Sequence, residues 1–293
     1  MQPILDFIFM TLELAVPLVL AAEAAMIAER AGVICLGVEG MMLFGAFFGA
    51  FGCEILGNGW LGLVLALISG LIVGLLYGIF AVYLKGQQVV VGVAINFLAT
   101  GMTPMLTQLV WDNEGAGDPI KPIEKWNVFG GGGNSIEVSP FLPITVTIVI
   151  LLCIFMYRTK YGLRLRMIGD FPLGVQTSGI NTNRYKFYAM MASGFFAAAG
   201  GAYLSISYGN VFVADMVAGR GYMGVVANIF GGWNPALGAL AATFFAGVQA
   251  LRYTLIDIKI PTQLMQMLPY VVTLLALIIF GKRSKSPEGL GKL

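Results

Sequence analysis

The segment YGLRLRMIGDFPLGVQTSGINTNRYK, residues 161–186, is polar and basic, and it contains one proline and four glycines. Apolar runs close to the length of a membrane span lie on both sides of it, at 141–157 and 187–207. A helix that stays in lipid needs about 20 mostly apolar residues and tolerates few charges. The segment is therefore predicted to be a loop between two membrane spans. A chain with two or more such spans is a polytopic membrane protein.

The remainder of the chain is too apolar for a soluble protein. Of its 293 residues, 58% are hydrophobic and 11% are charged, and the mean hydropathy is +0.85. Soluble domains carry about 25% charged residues, so lipid must solvate much of this surface. Residues 1–20 lack the basic start and the cleavage site of a signal peptide, and they are predicted to begin the first span. We predict an all-α membrane protein without a nucleic-acid partner.

Eight runs are long and apolar enough to predict spans. They cover 7–28, 31–52, 60–83, 89–110, 141–157, 187–207, 235–256 and 265–281. A further segment, about 217–232, is shorter and rich in glycine, so it either crosses the membrane or dips into it. The sequence thus predicts about nine transmembrane helices, within a range of eight to ten, in a single domain that comprises residues 1–293.

Lysine and arginine are distributed unevenly between the two sides of a nine-span arrangement. Twelve of the 17 basic residues fall on one side: Arg30, Lys85, Arg158, Lys160, Arg164, Arg166, Arg184, Lys186, Lys282, Arg283, Lys285 and Lys292. Basic loops favour the cytoplasm. That side is therefore predicted to be cytoplasmic and to include the C terminus and the 158–186 loop, whereas the N terminus and the acidic 111–140 loop lie outside.

Several kinds of chemistry are disfavoured by the sequence. The chain has no histidine, and Cys35, Cys53 and Cys153 lie in or beside apolar runs without CxxC spacing, so we predict no metal site. Glycines 130–133 are not followed by the Gly-Lys-Ser/Thr of a phosphate-binding loop. Neither paired carboxylates nor a nucleophile with a base stand out. We therefore predict that the chain is not an enzyme and binds no cofactor itself.

Small residues recur every fourth position in two spans. Gly70, Gly74 and Gly78 form one such series, and Gly45 and Gly49 form another. Small residues at this spacing let helix backbones approach closely. We predict that both series lie at helix–helix contacts.

Polar side chains inside apolar runs mark a candidate translocation pathway. A charged group deep in a bilayer usually faces the bundle interior or a water path. Glu39 is flanked by Gly37 and Gly40, and GVAIN ending at Asn96 is echoed by GVVAN ending at Asn228. We predict that Glu39, Asn96 and Asn228 lie near the pathway; the alternative is that the carboxyl group only bonds another helix.

Within the opening segment, the local signals predict a short helix over about 170–179. Asp170 is placed to cap its start and Pro172 to occupy its first turn, where the missing N–H is not needed. Gly179 supplies a left-handed stop. A plain connector would need no such helix. The short helix favours a surface through which a soluble partner transmits force. The alternative is an ion-coupled carrier with Glu23 or Glu39 at its ion site, and such a carrier would need no such helix.

Three motifs resemble signatures of one transporter family. They are ERAGVICLGVEGMM (29–42), YGLRLRMIGDFPLGVQTSGI (161–180) and GRGYMGVVANIFGGWNP (219–235). They occur in the order typical of ABC-importer permeases for branched-chain amino acids, simple sugars and nucleosides, whose bundles are of type II. The first motif most resembles the nucleoside branch, and the length is similar to that of its shorter permease subunit.

The resemblance implies what the chain does and with what it assembles. The segment after the central span would be the coupling helix of an importer, set against a cytoplasmic ATPase that binds ATP and Mg²⁺. A second homologous permease and a substrate-binding surface lipoprotein would complete the assembly in a bacterial cytoplasmic membrane. Nucleosides are the implied substrates, with simple sugars or branched-chain amino acids as alternatives.

The resemblance also assigns residues to coupling. Together with the two arginines that precede it, the coupling segment comprises Arg164, Arg166, Gly169, Asp170, Phe171, Pro172 and Gly179. The chain departs from the family pattern in three places. Asp170 and Phe171 stand where the family usually has Glu and Asn, Gly174 and Val175 replace a common Ala-Ala, and Cys35 holds a place often taken by Asn.

Overall fold

The computed structural model of the chain describes residues 2–113, 115–127, 137–254 and 285–292, with further positions at 271, 272, 274 and 278. Almost all of the regular structure in these residues is helical. The helices are α1 (Gln2–Arg30), α2 (Val38–Leu56), α3 (Gly59–Gly78), α4 (Gln88–Trp111), α5 (Phe141–Arg158), α6 (Lys160–Asp170), α7 (Pro172–Thr177), α8 (Thr182–Tyr203), α9 (Arg220–Phe230) and α10 (Pro235–Thr254).

Two short features complete the description. Helices α3 and α8 each end in a π-helical turn, Ile79–Tyr83 and Leu204–Tyr208. Two-residue strands, β1 (Trp126–Asn127) and β2 (Glu137–Val138), pair antiparallel in the loop between α4 and α5.

The predicted all-α membrane fold is confirmed. In the part of the chain that the structure describes, six stretches are long and apolar enough to span a bilayer: Leu5–Arg30, Val38–Leu56, Gly59–Tyr83, Gln88–Trp111, Phe141–Arg158 and Thr182–Tyr208. The count of nine is not confirmed. Helix α9 has only 11 residues, the apolar stretch of α10 covers Pro235–Leu251, and the predicted span 265–281 falls outside the described residues except at four positions.

Helices α3 and α8 approach each other through glycine. A Cβ atom on Gly70 would lie 2.3 Å from the Gly194 carbonyl oxygen and 2.3 Å from the Ala198 Cβ. One turn further on, a Cβ on Gly74 would lie 2.5 Å from the Met190 carbonyl oxygen. Contacts this short are available only to glycine, so the prediction from the four-residue spacing is confirmed.

Helix α2 packs on the other flank of α8 in the same way. A Cβ on Gly45 would lie 2.4 Å from the Ala198 Cα, and one on Gly201 would lie 1.8 Å from the Met42 carbonyl oxygen. We call these close contacts the glycine seam; its members are Gly45, Gly70, Gly74, Gly194 and Gly201. The seam places α8 in the interior of the bundle. In its most apolar 18-residue stretch 78% of the residues are buried, against 28% in α4 and 22% in α5.

The two ends of the bundle differ in charge and connection. One end, here called the basic end, holds Arg30, Asp170, Lys186 and Lys292, which are joined by contacts described below. At the opposite end the loop after α4 pairs with the chain after α8, since Gly117 N–H donates to the Phe212 carbonyl at 2.9 Å. From there residues 209–219 run without helix to α9, whose last turn reaches the basic end.

Candidate functional site

The chain between α1 and α2, residues 31–37, is non-helical backbone that is almost entirely buried. Side chains from other helices satisfy its polar groups. The Ile34 N–H donates to the Gln88 side-chain oxygen at 2.7 Å, and the Tyr77 hydroxyl donates to the Ile34 carbonyl at 2.8 Å. Buried backbone that is not helical needs such partners for its N–H and C=O groups. This break between helices is therefore a candidate functional region.

Asn96 of α4 fastens the end of this break. Its side-chain oxygen accepts from the Gly40 N–H at 2.8 Å, and its amide nitrogen donates to the Leu36 carbonyl at 2.8 Å and to the Tyr222 hydroxyl at 2.7 Å. Both amide protons are thus in use. Asn96 joins the start of α2 to the first turn of α9.

Glu39 joins the same two helices from the other side. Its two carboxylate oxygens accept from the N–H groups of Gly219 and Gly221, both at 2.7 Å. These donors belong to the start of α9, where the free N–H groups and the helix dipole favour a negative charge. Gly219 has a φ of +79°, a conformation that glycine adopts without strain. The carboxylate therefore caps α9 from a different helix.

Asn228 lies in a second cluster, near the basic end. Its amide donates to a Glu29 carboxylate oxygen at 2.9 Å, and the Trp233 indole donates to the same oxygen at 2.5 Å. The Arg30 side chain donates to the Trp233 carbonyl at 2.7 Å and to the Gly232 carbonyl at 3.3 Å. The end of α1 thus holds the turn between α9 and α10.

The three predicted pathway residues therefore do not form one site. Glu39 and Asn96 meet at the start of α9, and Asn228 binds Glu29 nearly two turns further along. Sequence reasoning missed Tyr222, Glu29 and Trp233 as members of these clusters. Glu29 stands beside Arg30 at the end of an apolar run and looks like an interfacial charge, although it is only 4% exposed.

The predicted coupling segment is helical, but its first boundary differs from the prediction. Asp170 was expected to cap the short helix; it is instead the last residue of α6, and Phe171 occupies the cap position without a side-chain cap bond. The residue before a proline is disfavoured in helical geometry, and the break accordingly falls at Phe171 rather than at Asp170. The helix α7 has six residues, and Pro172 is its first, as predicted.

Gly179 adopts the predicted left-handed conformation, with a φ of +78°. Between these limits the tip of the segment exposes apolar side chains: Phe171 is 62% exposed and Leu173 is 68% exposed. They lie in the loop between α6 and α8, next to charged groups at the basic end. Exposed apolar surface among charges is typical of a protein-docking site.

The remaining coupling residues brace this tip. Arg164 donates to the Tyr185 hydroxyl at 2.9 Å, a bond that raises the pKa of the Arg164 guanidinium. Arg166 lies over the Tyr157 ring at 4.8 Å from its centre. A Cβ atom on Gly169 would lie 2.2 Å from the Arg30 carbonyl oxygen, so α6 touches the end of α1 directly.

An ion pair and the C-terminal tail, residues 285–292, complete the basic end. An Asp170 carboxylate oxygen lies 3.9 Å from an Arg30 guanidinium nitrogen. In the tail, the Gly289 N–H donates to the Gly169 carbonyl at 2.7 Å, and the Gly291 N–H donates to the Gly32 carbonyl at 3.1 Å. The Lys186 ammonium donates to the carbonyl of Lys292 at 2.7 Å.

Within the described residues, no three His, Cys, Asp or Glu side chains come close enough to hold a metal ion. Most buried polar groups in these clusters bind backbone groups of a neighbouring helix or each other. The arrangement can hold and move helices, and we find no catalytic arrangement in it.

The comparison with protein families decides the identity of the chain. The family described as "Branched-chain amino acid transport system / permease component" matches residues 7–277. The chain belongs to this permease family. The resemblance of its three motifs to this family is thereby confirmed, and the chain is a membrane-spanning permease component.

Two curated relatives are similar to the permease over nearly its whole length. The guanosine ABC transporter permease protein NupQ of Bacillus subtilis is 32% identical, and the match covers 96% of this chain and 93% of NupQ. The nucleoside ABC transporter permease protein NupC of Lactococcus lactis is 28% identical, with 94% of this chain and 92% of NupC covered.

A solved structure supports the fold. The solved structure is that of an ABC transporter described as being of the metal-chelate type, in an inward-facing conformation. It superposes with a TM-score of 0.52, and the match covers 94% of this chain and 85% of the transporter chain. At 16% identity this likeness concerns the fold alone. The permease therefore shares the helical bundle of ABC transporter membrane subunits.

Proposed function

We propose that the permease is the membrane subunit of an ATP-driven importer that takes up nucleosides. The observation that carries this proposal is the similarity to NupQ and NupC, which extends over 96% and 94% of the chain. Import of simple sugars or branched-chain amino acids, the alternatives from the sequence, is not favoured by these relatives.

The partners follow from the same family. A cytoplasmic ATPase supplies the energy and binds ATP and Mg²⁺, because the permease sequence has no phosphate-binding loop. A surface lipoprotein delivers the nucleoside, and a second homologous permease completes the pathway. In support of a second permease, α4 and α5 present mostly exposed apolar surface.

We further propose that the basic end faces the cytoplasm. Basic residues favour that side, and Arg30, Arg164, Arg166 and Lys186 all belong to this end or to α6, which touches it. The tail 285–292 lies at the same end, which would place the C terminus inside and the 111–140 loop outside.

Coupling is proposed to run from α7 to α9 through the end of α1. The ATPase would contact the tip formed by Phe171 and Leu173. Asp170 lies 3.9 Å from Arg30, which in turn holds the turn after α9. Movement of α7 would therefore reach α9 through three directly contacting groups. Arg164, Arg166, Gly169, Pro172 and Gly179 set the position of the tip, and Glu39, Asn96 and Asn228 would respond to the movement of α9.

Nucleoside uptake by a strain that lacks only this permease tests the main proposal. Radiolabelled guanosine, adenosine, cytidine, ribose and leucine are supplied separately, with and without the permease restored. We expect restoration to recover nucleoside uptake and to leave ribose and leucine unchanged. Recovery of ribose or leucine uptake alone would replace the nucleoside assignment, and the identity of proteins that copurify with the permease would test the ATPase and the second permease.

Phe171→Ser tests the coupling segment. Loss of the exposed aromatic ring should reduce copurification of the ATPase and lower uptake by about thirtyfold, since interface anchors commonly contribute about 2 kcal/mol. Trp126→Ser is the matched control, because Trp126 is 57% exposed and lies in the loop at the opposite end. Equal effects of the two substitutions, or normal uptake with Phe171→Ser, would remove the docking role.

A further inference from the structure

We infer that Tyr222 supplies the aromatic face on which the base of the transported nucleoside stacks. The inference rests on the proposed function and assigns a recognition residue to it. Tyr222 lies on the first turn of α9 and is 44% exposed, while its neighbours Gly221 and Met223 are buried.

The position of Tyr222 is well inside the bundle. Its hydroxyl accepts from Asn96, which is the ninth residue of α4. At a rise of 1.5 Å per residue, Asn96 lies about 12 Å from the start of α4 and about 22 Å from its end. Tyrosine that faces lipid is enriched at the membrane surface, where its hydroxyl reaches water. A half-exposed tyrosine at this depth is better explained by a polar path than by lipid.

The ring is also held in one orientation. Asn96 also bonds Gly40 and Leu36, so in this conformation the amide that holds the Tyr222 hydroxyl is itself held by two backbone groups. In the same turn, Glu39 ties the start of α9 to α2 through Gly219 and Gly221. Among the described residues no aromatic ring or cation stacks on Tyr222. A rigid aromatic face therefore stands free beside the break in the helices.

A nucleobase is the part of the proposed substrate that fits such a face. Every base has a flat π-face, and stacking on an aromatic side chain is tolerant of base identity. In secondary transporters, substrate sites are commonly formed where helices are interrupted, and Tyr222 lies beside such an interruption through its bond to Asn96. Asn96 donates to the phenolic oxygen of Tyr222. The phenolic hydrogen is therefore still available, and the hydroxyl can donate it to the substrate. The arrangement suits a transporter that accepts several nucleosides.

Uptake by the complete importer in proteoliposomes tests the inference. The vesicles contain both permeases and the ATPase, the binding protein is saturating, and guanosine and cytidine compete at equal concentration. Tyr222→Leu keeps an apolar side chain but removes the π-face together with the hydroxyl. We expect guanosine uptake to fall by about tenfold, in line with the usual effect of losing one stacking side chain. Cytidine, with its smaller ring, should lose less, so that the guanosine-to-cytidine ratio falls by about threefold.

Two variants separate stacking from support. Tyr222→Phe keeps the ring and loses the hydroxyl, so it should retain the guanosine-to-cytidine ratio. Tyr188→Leu is the matched control, because Tyr188 is a tyrosine of α8 that is 65% exposed. This substitution should leave the uptake of both nucleosides unchanged. The ratio is independent of how much importer assembles, and it therefore remains informative if a variant is produced poorly.

The outcomes distinguish this inference from the proposed function. An unaltered importer that transports no nucleoside would overturn both. Nucleoside uptake by the unaltered importer with an unchanged ratio in Tyr222→Leu would overturn the stacking role alone. Equal losses of guanosine and cytidine in Tyr222→Leu and Tyr222→Phe would mean that the hydroxyl bond to Asn96 matters and the π-face does not.

Photolabelling supplies a direct measurement. Irradiation of the complete importer with 8-azidoguanosine should label a peptide that contains residues 220–230, and excess guanosine should prevent the labelling. Labelling confined to peptides of other helices would contradict the inference even if the uptake ratios changed.

Discussion

The glycine seam and the start of α9 are two ways of holding helices together inside a membrane. In the seam, complete helices touch through backbone, and no side chain lies between Gly70 and Gly194. At α9 the helices are interrupted, and Glu39, Asn96 and Tyr77 bind the backbone groups that the interruptions leave free. Close packing stabilises the first region, whereas a few hydrogen bonds stabilise the second.

This difference indicates which part can move. Close-packed backbone has no second arrangement at similar energy, because any shift opens a gap or a clash. Hydrogen bonds to backbone can be exchanged for bonds to water once a cavity opens. Helices α2, α3 and α8 should therefore act as a rigid frame, and α9 should be the element that changes position during transport.

Gly201→Ala should have the largest effect on stability. The added methyl would lie 1.8 Å from the Met42 carbonyl oxygen, so α2 and α8 must separate. Overpacking of this kind commonly costs about 1–3 kcal/mol, and here the obstacle is backbone. Thermal aggregation of the detergent-purified protein measures the loss. Gly101→Ala is the control: no neighbouring atom lies within 4 Å of its added Cβ, and better helix propensity should leave it unchanged or slightly more stable.

A Gly201→Ala protein as stable as the Gly101→Ala protein would show that the seam yields easily. The contrast between a rigid frame and a mobile α9 would then be lost.

Glu39→Gln should have an intermediate effect on stability and a large one on transport. Glutamine retains one oxygen but presents an NH₂ group to the second backbone N–H, which leaves a buried donor unsatisfied at about 1–3 kcal/mol. We expect uptake to fall by about tenfold while the protein remains inserted. Glu54→Gln is the control, since Glu54 lies on the same helix, is exposed and accepts from the Trp111 indole. Normal uptake with Glu39→Gln would show that the cap on α9 is dispensable.

Tyr77→Phe should have the smallest effect. The hydroxyl contacts the carbonyls of Ile34 and Gln88, both at 2.8 Å, and its removal should cost about 1 kcal/mol. A shift of a few degrees in thermal stability, without a change in the seam, is the expected result. Tyr83→Phe, on a tyrosine that is 51% exposed, serves for comparison. A loss as large as that of Gly201→Ala would place the break between α1 and α2 within the rigid frame.

The sequence predicted what depends on near neighbours along the chain. Apolar runs located six spans, the spacing of Gly70 and Gly74 located a helix contact, and Gly179 was recognised as a left-handed stop. Each of these signals acts within a few residues.

The sites depend on distant residues and were predicted only in part. Glu39 meets Gly219 across 180 positions, and Asn228 meets Glu29 across 199. No local pattern encodes such pairings, so the sequence did not indicate that Asn228 bonds Glu29 rather than Glu39 or Asn96. The predicted N-cap position of Asp170 was wrong, because α6 continues through Asp170 and the helix break falls at Phe171, directly before Pro172. The roles in transport proposed for these residues await the experiments above.

The bonds between the tail and the beginning of the chain have a consequence for biosynthesis. Gly32 emerges early from the ribosome, whereas Gly291, which donates to its carbonyl, is among the last described residues to be made. At about 5–20 residues per second, the interval is on the order of 10–50 s. During that time the carbonyl of Gly32 lacks its tail partner, and the carbonyl of Gly169 waits about 6–24 s for Gly289. A truncated chain would keep them in that state, so that the membrane's proteases and insertion chaperones could distinguish it from the finished permease.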